Sequence, residues 1–297
     1  LLAVKLPAVY MAALGLGLWA TLLPRRWQAG RWALALALTL VCAALYVRHV
    51  EQVREITRDA SAEPVIAAVD AIDATGERPI AVMSLWGHDY WALTYAQAYR
   101  DQLGGLALYD HNADFAEVLA GGHRLMTLDR TFYQRPVAWW EERLGRIYLS
   151  APSPGIVEIA TAPLRDLPSL EAEEPLDLGN GVEIASAALG WAGSGALQAD
   201  VIWRATSEVK HDYSVAVHLL SRFPPSGAQD ILAQADRAHP VGGWYPTTRW
   251  ESGEIVPDSY ALTVPEGAVP VSVRLGMYRQ TTPGQFENTE WLVLPVP

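Results

Sequence analysis

Four short stretches carry residues suited to chemistry. Trp86-Gly87-His88-Asp89-Tyr90 sets an imidazole and a carboxylate side by side between aromatic rings. Such a set would contact a sugar or a lipid phosphate, with His88 or Asp89 carrying a proton. A plainer use is open to the same residues: Asp89 caps a helix while Trp86 and Tyr90 pack over a sheet edge. Asp110, His111, Asn112 and Asp114 have the oxygen-rich look of a hard-cation site, although a helix cap from Asn112 or Asp114 explains them more simply. Trp139-Trp140 beside Glu141-Glu142 suggests a sugar platform, yet on a short helix one of the two indoles must face the core. Trp244, Tyr245 and Trp250 lie in a loop of Gly, Pro and Thr, where rings are harder to bury, which makes them the better candidates for stacking on carbohydrate. Substrate contacts are therefore expected at Trp86, His88, Asp89, Tyr90, Trp244, Tyr245 and Trp250. The seven histidines show no H-x-x-x-H spacing, and no P-loop, dinucleotide fingerprint or Gly-x-Ser-x-Gly elbow occurs, so neither a metal nor a cofactor is expected.

The elements holding these stretches follow from apolar periodicity. Pro79 to Leu85 is a continuous apolar run typical of a buried parallel strand, and Trp86 opens a helical stretch to Gln102. Leu106–Tyr109 and Arg124–Leu128 are further strands, separated by a helix over Ala113–Ala120. Pro136–Leu144 forms another helix and Ile147–Ser150 a last strand. Alternation of this kind predicts a mostly parallel α/β layer, with ligands beyond the carboxyl ends of the strands. Trp86–Tyr90, Asp110–Asn112 and Asp129-Arg130 all belong there. From Pro152 to Pro175 the chain is rich in proline and acid. Past that boundary the period falls to two, giving about seven strands between Val182 and Val296 and an expected antiparallel β-sandwich.

The first fifty residues set the chain's class. Leu6–Leu23 and Trp32–Val47 are apolar runs flanking Pro24–Arg31, and no Asp or Glu precedes Glu51. Two membrane-spanning helices are expected, with the arginine-rich loop in the cytoplasm and everything beyond about residue 50 outside it. The one cysteine, Cys42, sits in the second run, so no disulfide framework is possible within the chain. Five of the 22 Lys and Arg precede Glu51, leaving 17 against all 33 acids, a net charge of −16 downstream. Such a surface repels nucleic acid and anionic lipid. The expected class is an α+β multidomain membrane protein: a transmembrane hairpin over 1–50, an extracytoplasmic α/β domain over 51–162, a linker over 163–175 and a β-sandwich over 176–297. Glu51 to about Thr75 is expected to be amphipathic, with Ser61 capping a helix that has Pro64 in its first turn.

Several pieces in the C-terminal half resemble a known module. They are Trp203-Arg204-Ala205, Asp212–Leu220, Ala233–Asp236, Gly243–Trp250, Gly253–Asp258 and Arg274–Tyr278, in that order. Together they are similar to the β-sandwich appended to bacterial polytopic membrane glycosyltransferases of the protein-mannosyltransferase-like GT-C class. The Trp86–Tyr109 segment looks like the soluble α/β portion of one branch of that class. Arg222–Asp230 departs from the pattern, standing where a tight hairpin is expected. The resemblance implies sugar transfer from a polyprenyl-phosphate donor to a glycan or glycoconjugate acceptor outside the cytoplasm. It also implies that the catalytic acids sit in an early loop of the protein, and no stretch here matches that loop. A chain opening Leu-Leu-Ala-Val-Lys is accordingly expected to be the C-terminal part of a longer, multi-pass protein. The alternative is a non-catalytic, membrane-anchored carbohydrate-binding module.

Overall fold

The computed structural model describes residues 28–297 apart from 74, 75, 77, 168–174 and 194. The expected first membrane run, Leu6–Leu23, lies outside the described residues, as do Arg25 and Arg26. The chain divides into two compact units, residues 1–61 and 62–297.

In the first unit a single helix, α1, runs from Gln28 to Arg58, 31 residues or about 46 Å at the usual rise. Its stretch Trp32–Glu51 is long and apolar enough to cross a membrane, and none of it is buried. Sequence periodicity starts this helix at Trp32 and ends its apolar run at Val47. The helix instead takes in Arg31 and continues through Glu51–Arg58, because no Gly or Pro interrupts residues 31–58.

The second unit opens with α2 (Glu63–Asp70), which has Pro64 in its first turn. Ser61 does not cap it: the cap position is Ala62, with no side-chain hydrogen bond to the helix. β1 (Ile80–Met83) and α3 (His88–Tyr99) follow, then β2 (Leu106–Tyr109), α4 (Phe115–Ala120) and β3 (Arg124–Leu128). β1 pairs in parallel with β2 on one side and with β3 on the other. A 3-10 turn over Asp129–Tyr133 and α5 (Val137–Leu144) lead to a hairpin of β4 (Tyr148–Ser153) and β5 (Ile156–Ala160). This hairpin joins β3 antiparallel, completing the sheet order β2-β1-β3-β5-β4. β5 is a correction to the sequence reading, which ends the layer at Ser150. Ile156, Val157 and Ile159 are buried, so this run belongs to the core despite its proline-rich flanks.

The remaining strands are β6 (Leu176–Asp177), β7 (Val182–Ala192), β8 (Ala196–Ala205), β9 (Ser214–Leu220), β10 (Ile231–Gln234), β11 (Ile255–Thr263), β12 (Ser272–Thr282), β13 (Gln285–Asn288) and β14 (Leu292–Pro295). They build two antiparallel sheets, β11-β8-β7-β6 and β10-β9-β12-β13, the second with β14 also on β12. Alternating residues face inward on β8 and β11, among them Leu197, Val201, Trp203, Val256, Tyr260 and Leu262. Met83, Phe132, Trp140, Trp203 and Tyr245 belong to one buried cluster, so the α/β layer and the antiparallel sheets share a core. Leaving those rings exposed instead would forgo ~1.5–3 kcal/mol apiece.

Candidate functional site

The connection after β1 leads to β2 on one side, and the connection after β3 leads away on the other. Between the carboxyl ends of β1 and β3 the sheet therefore has a switch point, where open α/β sheets hold ligands. The expected segment Trp86–Tyr90 and the turn Asp129-Arg130 meet there. Arg130 grips the Asp89 carboxylate with two N–H groups, Nε to Oδ2 at 2.9 Å and Nη2 to Oδ1 at 2.5 Å. His88 Nδ1 lies 3.0 Å from the same Oδ1. The carboxylate is mostly covered while the imidazole and guanidinium are about half exposed.

Local sequence fixes this arrangement. Gly87, the residue before α3, has φ 139° and ψ −143°, a conformation closed to side-chain-bearing residues. A Cβ would meet nothing within 4 Å, so the constraint is backbone shape, not space. On the other side, Thr127 Oγ1 lies 2.9 Å from both Met83 O and Thr131 Oγ1, tying the turn after β3 to β1. Asp129 N donates to Gly155 O at 2.8 Å. Burial pushes the Asp129 carboxyl up, despite the opposing Arg130 and Arg237.

Trp86 is 61% exposed and sits edge-on to Trp91 with ring centres 5.9 Å apart. Tyr90 is half-buried and meets the same Trp91 at 6.0 Å. Asp89 thus lies inside the first turn of α3 with Arg130 as its partner, and Gly87 holds the cap position.

The predicted loop aromatics part company. Trp244 is half-buried, stacked on Phe132 at 5.5 Å and edge-on to Tyr133 at 4.8 Å, so it reaches the turn that carries Arg130. Tyr245 and Trp250 are buried in the core, which leaves neither ring a face for a sugar. Tyr245 Oη donates to Glu254 Oε1 at 2.7 Å, and burial raises both groups above their usual range. Thr247 and Thr248 fasten the loop to His211 O and to the Asp212 carboxylate.

Asp110 and Asp114 are occupied by backbone. Asp110 accepts from Asn112 N at 2.8 Å, and Asp114 caps α4, accepting from Ala116 N and Glu117 N. Of the tandem indoles, Trp140 is fully buried and Trp139 lies under the Arg143 guanidinium, 3.8 Å from the ring centre.

No family model matches the chain, and no curated protein matches it. Among solved structures, DesR, a beta-glucosidase from Streptomyces venezuelae solved in complex with D-glucose, aligns at 6% identity with a TM-score of 0.20. The alignment covers 38% of this chain and 15% of that one. A likeness this faint carries no argument about fold or function.

A second polar centre lies elsewhere. A cleft of about 530 Å³ is lined by Glu141, Gly145, Arg146, Thr248 and Arg249. Beside it Glu251 is pulled below its usual range, chiefly by the Tyr148 hydroxyl, while burial raises Glu254. Carboxylates pushed apart in this way are an acid/base signature. Here their partners are internal: Tyr148 Oη and Arg165 on Glu251, Tyr245 Oη and Glu251 N on Glu254. Arg249 pairs with Glu141, and Arg146 donates to Arg249 O. These bonds join α5 and β4 to the 249–254 loop, and their work is structural.

Sequence reasoning missed Arg130 as the partner of Asp89, and it missed three exposed rings, Trp91, Tyr95 and Tyr99. Their spacing of i, i+4 and i+8 is a legible helix-face signal.

Proposed function

We propose that this chain is the C-terminal part of an integral-membrane glycosyltransferase that moves sugar from a polyprenyl-phosphate donor to an extracytoplasmic acceptor. In this reading α1 is one of two membrane spans, and the folded unit beyond it lies outside the cytoplasm. The crevice at Trp86, His88, Asp89 and Arg130 holds the acceptor glycan, and the catalytic acids lie outside this stretch. One observation carries the assignment of the crevice. An exposed indole flanks a paired carboxylate and guanidinium at the switch point, offering an apolar face for a pyranose ring beside acceptors and donors for its hydroxyls. The ordered motifs of the C-terminal half, the apolar α1 and the acidic downstream charge support the wider reading.

The test is transfer from a polyprenyl-phosphate sugar by the intact gene product in membranes. Trp86→Ala and Asp89→Asn are expected to raise the KM for acceptor by about tenfold, ~1.4 kcal/mol of binding, with kcat little changed. An unchanged KM removes the crevice from the proposal. Glycan binding without transfer replaces the transferase with a membrane-anchored carbohydrate-binding module.

A further inference from the structure

Beyond the crevice, the outer face of α3 carries Trp91, Tyr95, Ala98 and Tyr99, all exposed. Trp91 and Tyr95 are each 55% exposed and Tyr99 is 79% exposed. Tyr95 and Tyr99 stack on each other at 5.4 Å, and Trp91 closes the row against Trp86 and Tyr90. Globular surfaces seldom leave so many large rings together in water.

Three observations say what covers this ledge. No charged residue occurs between Tyr90 and Tyr99, in a chain with 33 acids. Charge is confined to the two ends, where Asp89 pairs with Arg130 and Arg100 with Glu63. The helix's polar side chains are also spent on the protein itself: Thr94 Oγ1 donates to Tyr90 O, and Gln97 Nε2 to Leu106 O. Apart from the O–H and N–H groups of the rings themselves, the ledge offers a sugar no hydrogen-bonding side chain outside the crevice. Lastly, its rings are indoles and phenols with no Phe or Leu among them. That amphipathic choice suits the headgroup level of a bilayer.

We infer that the aromatic ledge of α3 lies against the lipid headgroup region, sinking its rings about 5–10 Å into the interface. The inference rests on the reading of α1 as a membrane span. A span ending near Glu51 keeps the following fold at high effective concentration beside the bilayer, so weak interfacial partitioning is enough. The acidic net charge makes zwitterionic lipid the favoured surface. A ledge held at this level places the adjoining crevice where a lipid-linked sugar is presented.

The full chain in phosphatidylcholine nanodiscs tests this with an environment-sensitive fluorophore on single cysteines. Native Cys42 on α1 is exposed and, lying mid-way along Trp32–Glu51, reports insertion of that helix through quenching by lipid carrying a nitroxide deep in its acyl chain. In a Cys42→Ser background, Tyr95→Cys and Tyr99→Cys report the ledge, and Thr281→Cys on the exposed end of β12 reports open solvent. Labels at 95 and 99 are expected to shift to the blue and to be quenched several-fold more than the label at 281 by lipid carrying a nitroxide near its headgroup. If the Cys42 label is quenched and those at 95 and 99 match 281, the ledge proposal is overturned and the membrane reading stands. If the Cys42 label is not quenched, both fall. Shielding of 95 and 99 by added oligosaccharide but not by lipid overturns it in favour of a glycan platform.

Discussion

Two aromatic stretches, Trp86–Tyr90 and Gly243–Trp250, each set a glycine beside large rings and meet opposite fates. In the first, Gly87 turns the chain so that Trp86 stands in solvent, and the polar groups of Asp89, His88 and Arg130 pair at the rim. In the second, the rings of Tyr245 and Trp250 are drawn under the loop. Tyr245 Oη finds Glu254 inside, and Thr247 and Thr248 clamp the loop to residues 211–213. Buried polar groups are mostly paired, and the second loop closes with Tyr245 Oη and the Thr247 and Thr248 hydroxyls paired internally. Trp250 Nε1 is buried with no hydrogen-bond partner among the described residues, so pairing explains the burial of Tyr245 and packing that of Trp250.

The contrast is broken most severely at Trp250. Replacing a buried indole with alanine leaves a cavity, and Trp250→Ala is expected to cost about 3–5 kcal/mol in denaturant unfolding. If Trp250 were a binding platform, the cost would be a fraction of that.

Next is Asp258 beneath the same loop. Its carboxylate is buried and accepts from Val241 N at 2.9 Å, with Val241 held at φ 57°, where β-branched residues are strained. Burial pushes Asp258 up to about 6 from an ordinary 3.8. The folded state thus holds a proton that the unfolded chain has released, and the stability it confers is present below pH ~4 and lost as pH rises to ~6. The difference is on the order of 3 kcal/mol. The unfolding free energy of Asp258→Asn, measured against wild type from pH 4 to 7, should lose that slope. A profile parallel to wild type contradicts the assignment.

Tyr245→Phe removes one donor from the buried Glu254 carboxylate and is expected to cost about 1–3 kcal/mol, read from the urea midpoint. Smallest is Asp89→Asn at the open crevice. With the Arg130 guanidinium about half exposed, the pair contributes roughly 0.2–1 kcal/mol, so thermal unfolding should shift little while glycan binding falls.

Local signals made much of this legible. β2 and β3 have the bounds that the apolar runs of Leu106–Tyr109 and Arg124–Leu128 indicate, and Asp114 caps a helix as its spacing suggests. Trp140 faces the core because a short helix has only one inward side. What escaped notice depends on distant partners. Burial of Tyr245 needs Glu254, and the role of Asp89 needs Arg130 from another strand end, 41 residues away. Periodicity carries no trace of either. The strand at Ile156–Ala160 was hidden by its proline-rich flanks, and the helix through Glu51 by a change in composition that the backbone ignores.

The account is tested most directly by titrating the full chain with oligosaccharide and following tryptophan emission, for wild type and Trp86→Ala, alongside each protein's unfolding midpoint. Trp86→Ala is expected to weaken binding by about tenfold or more with the midpoint unchanged. Equal affinity of the two proteins, or a loss of binding that tracks a loss of folded protein, contradicts the crevice as the place where glycan is held.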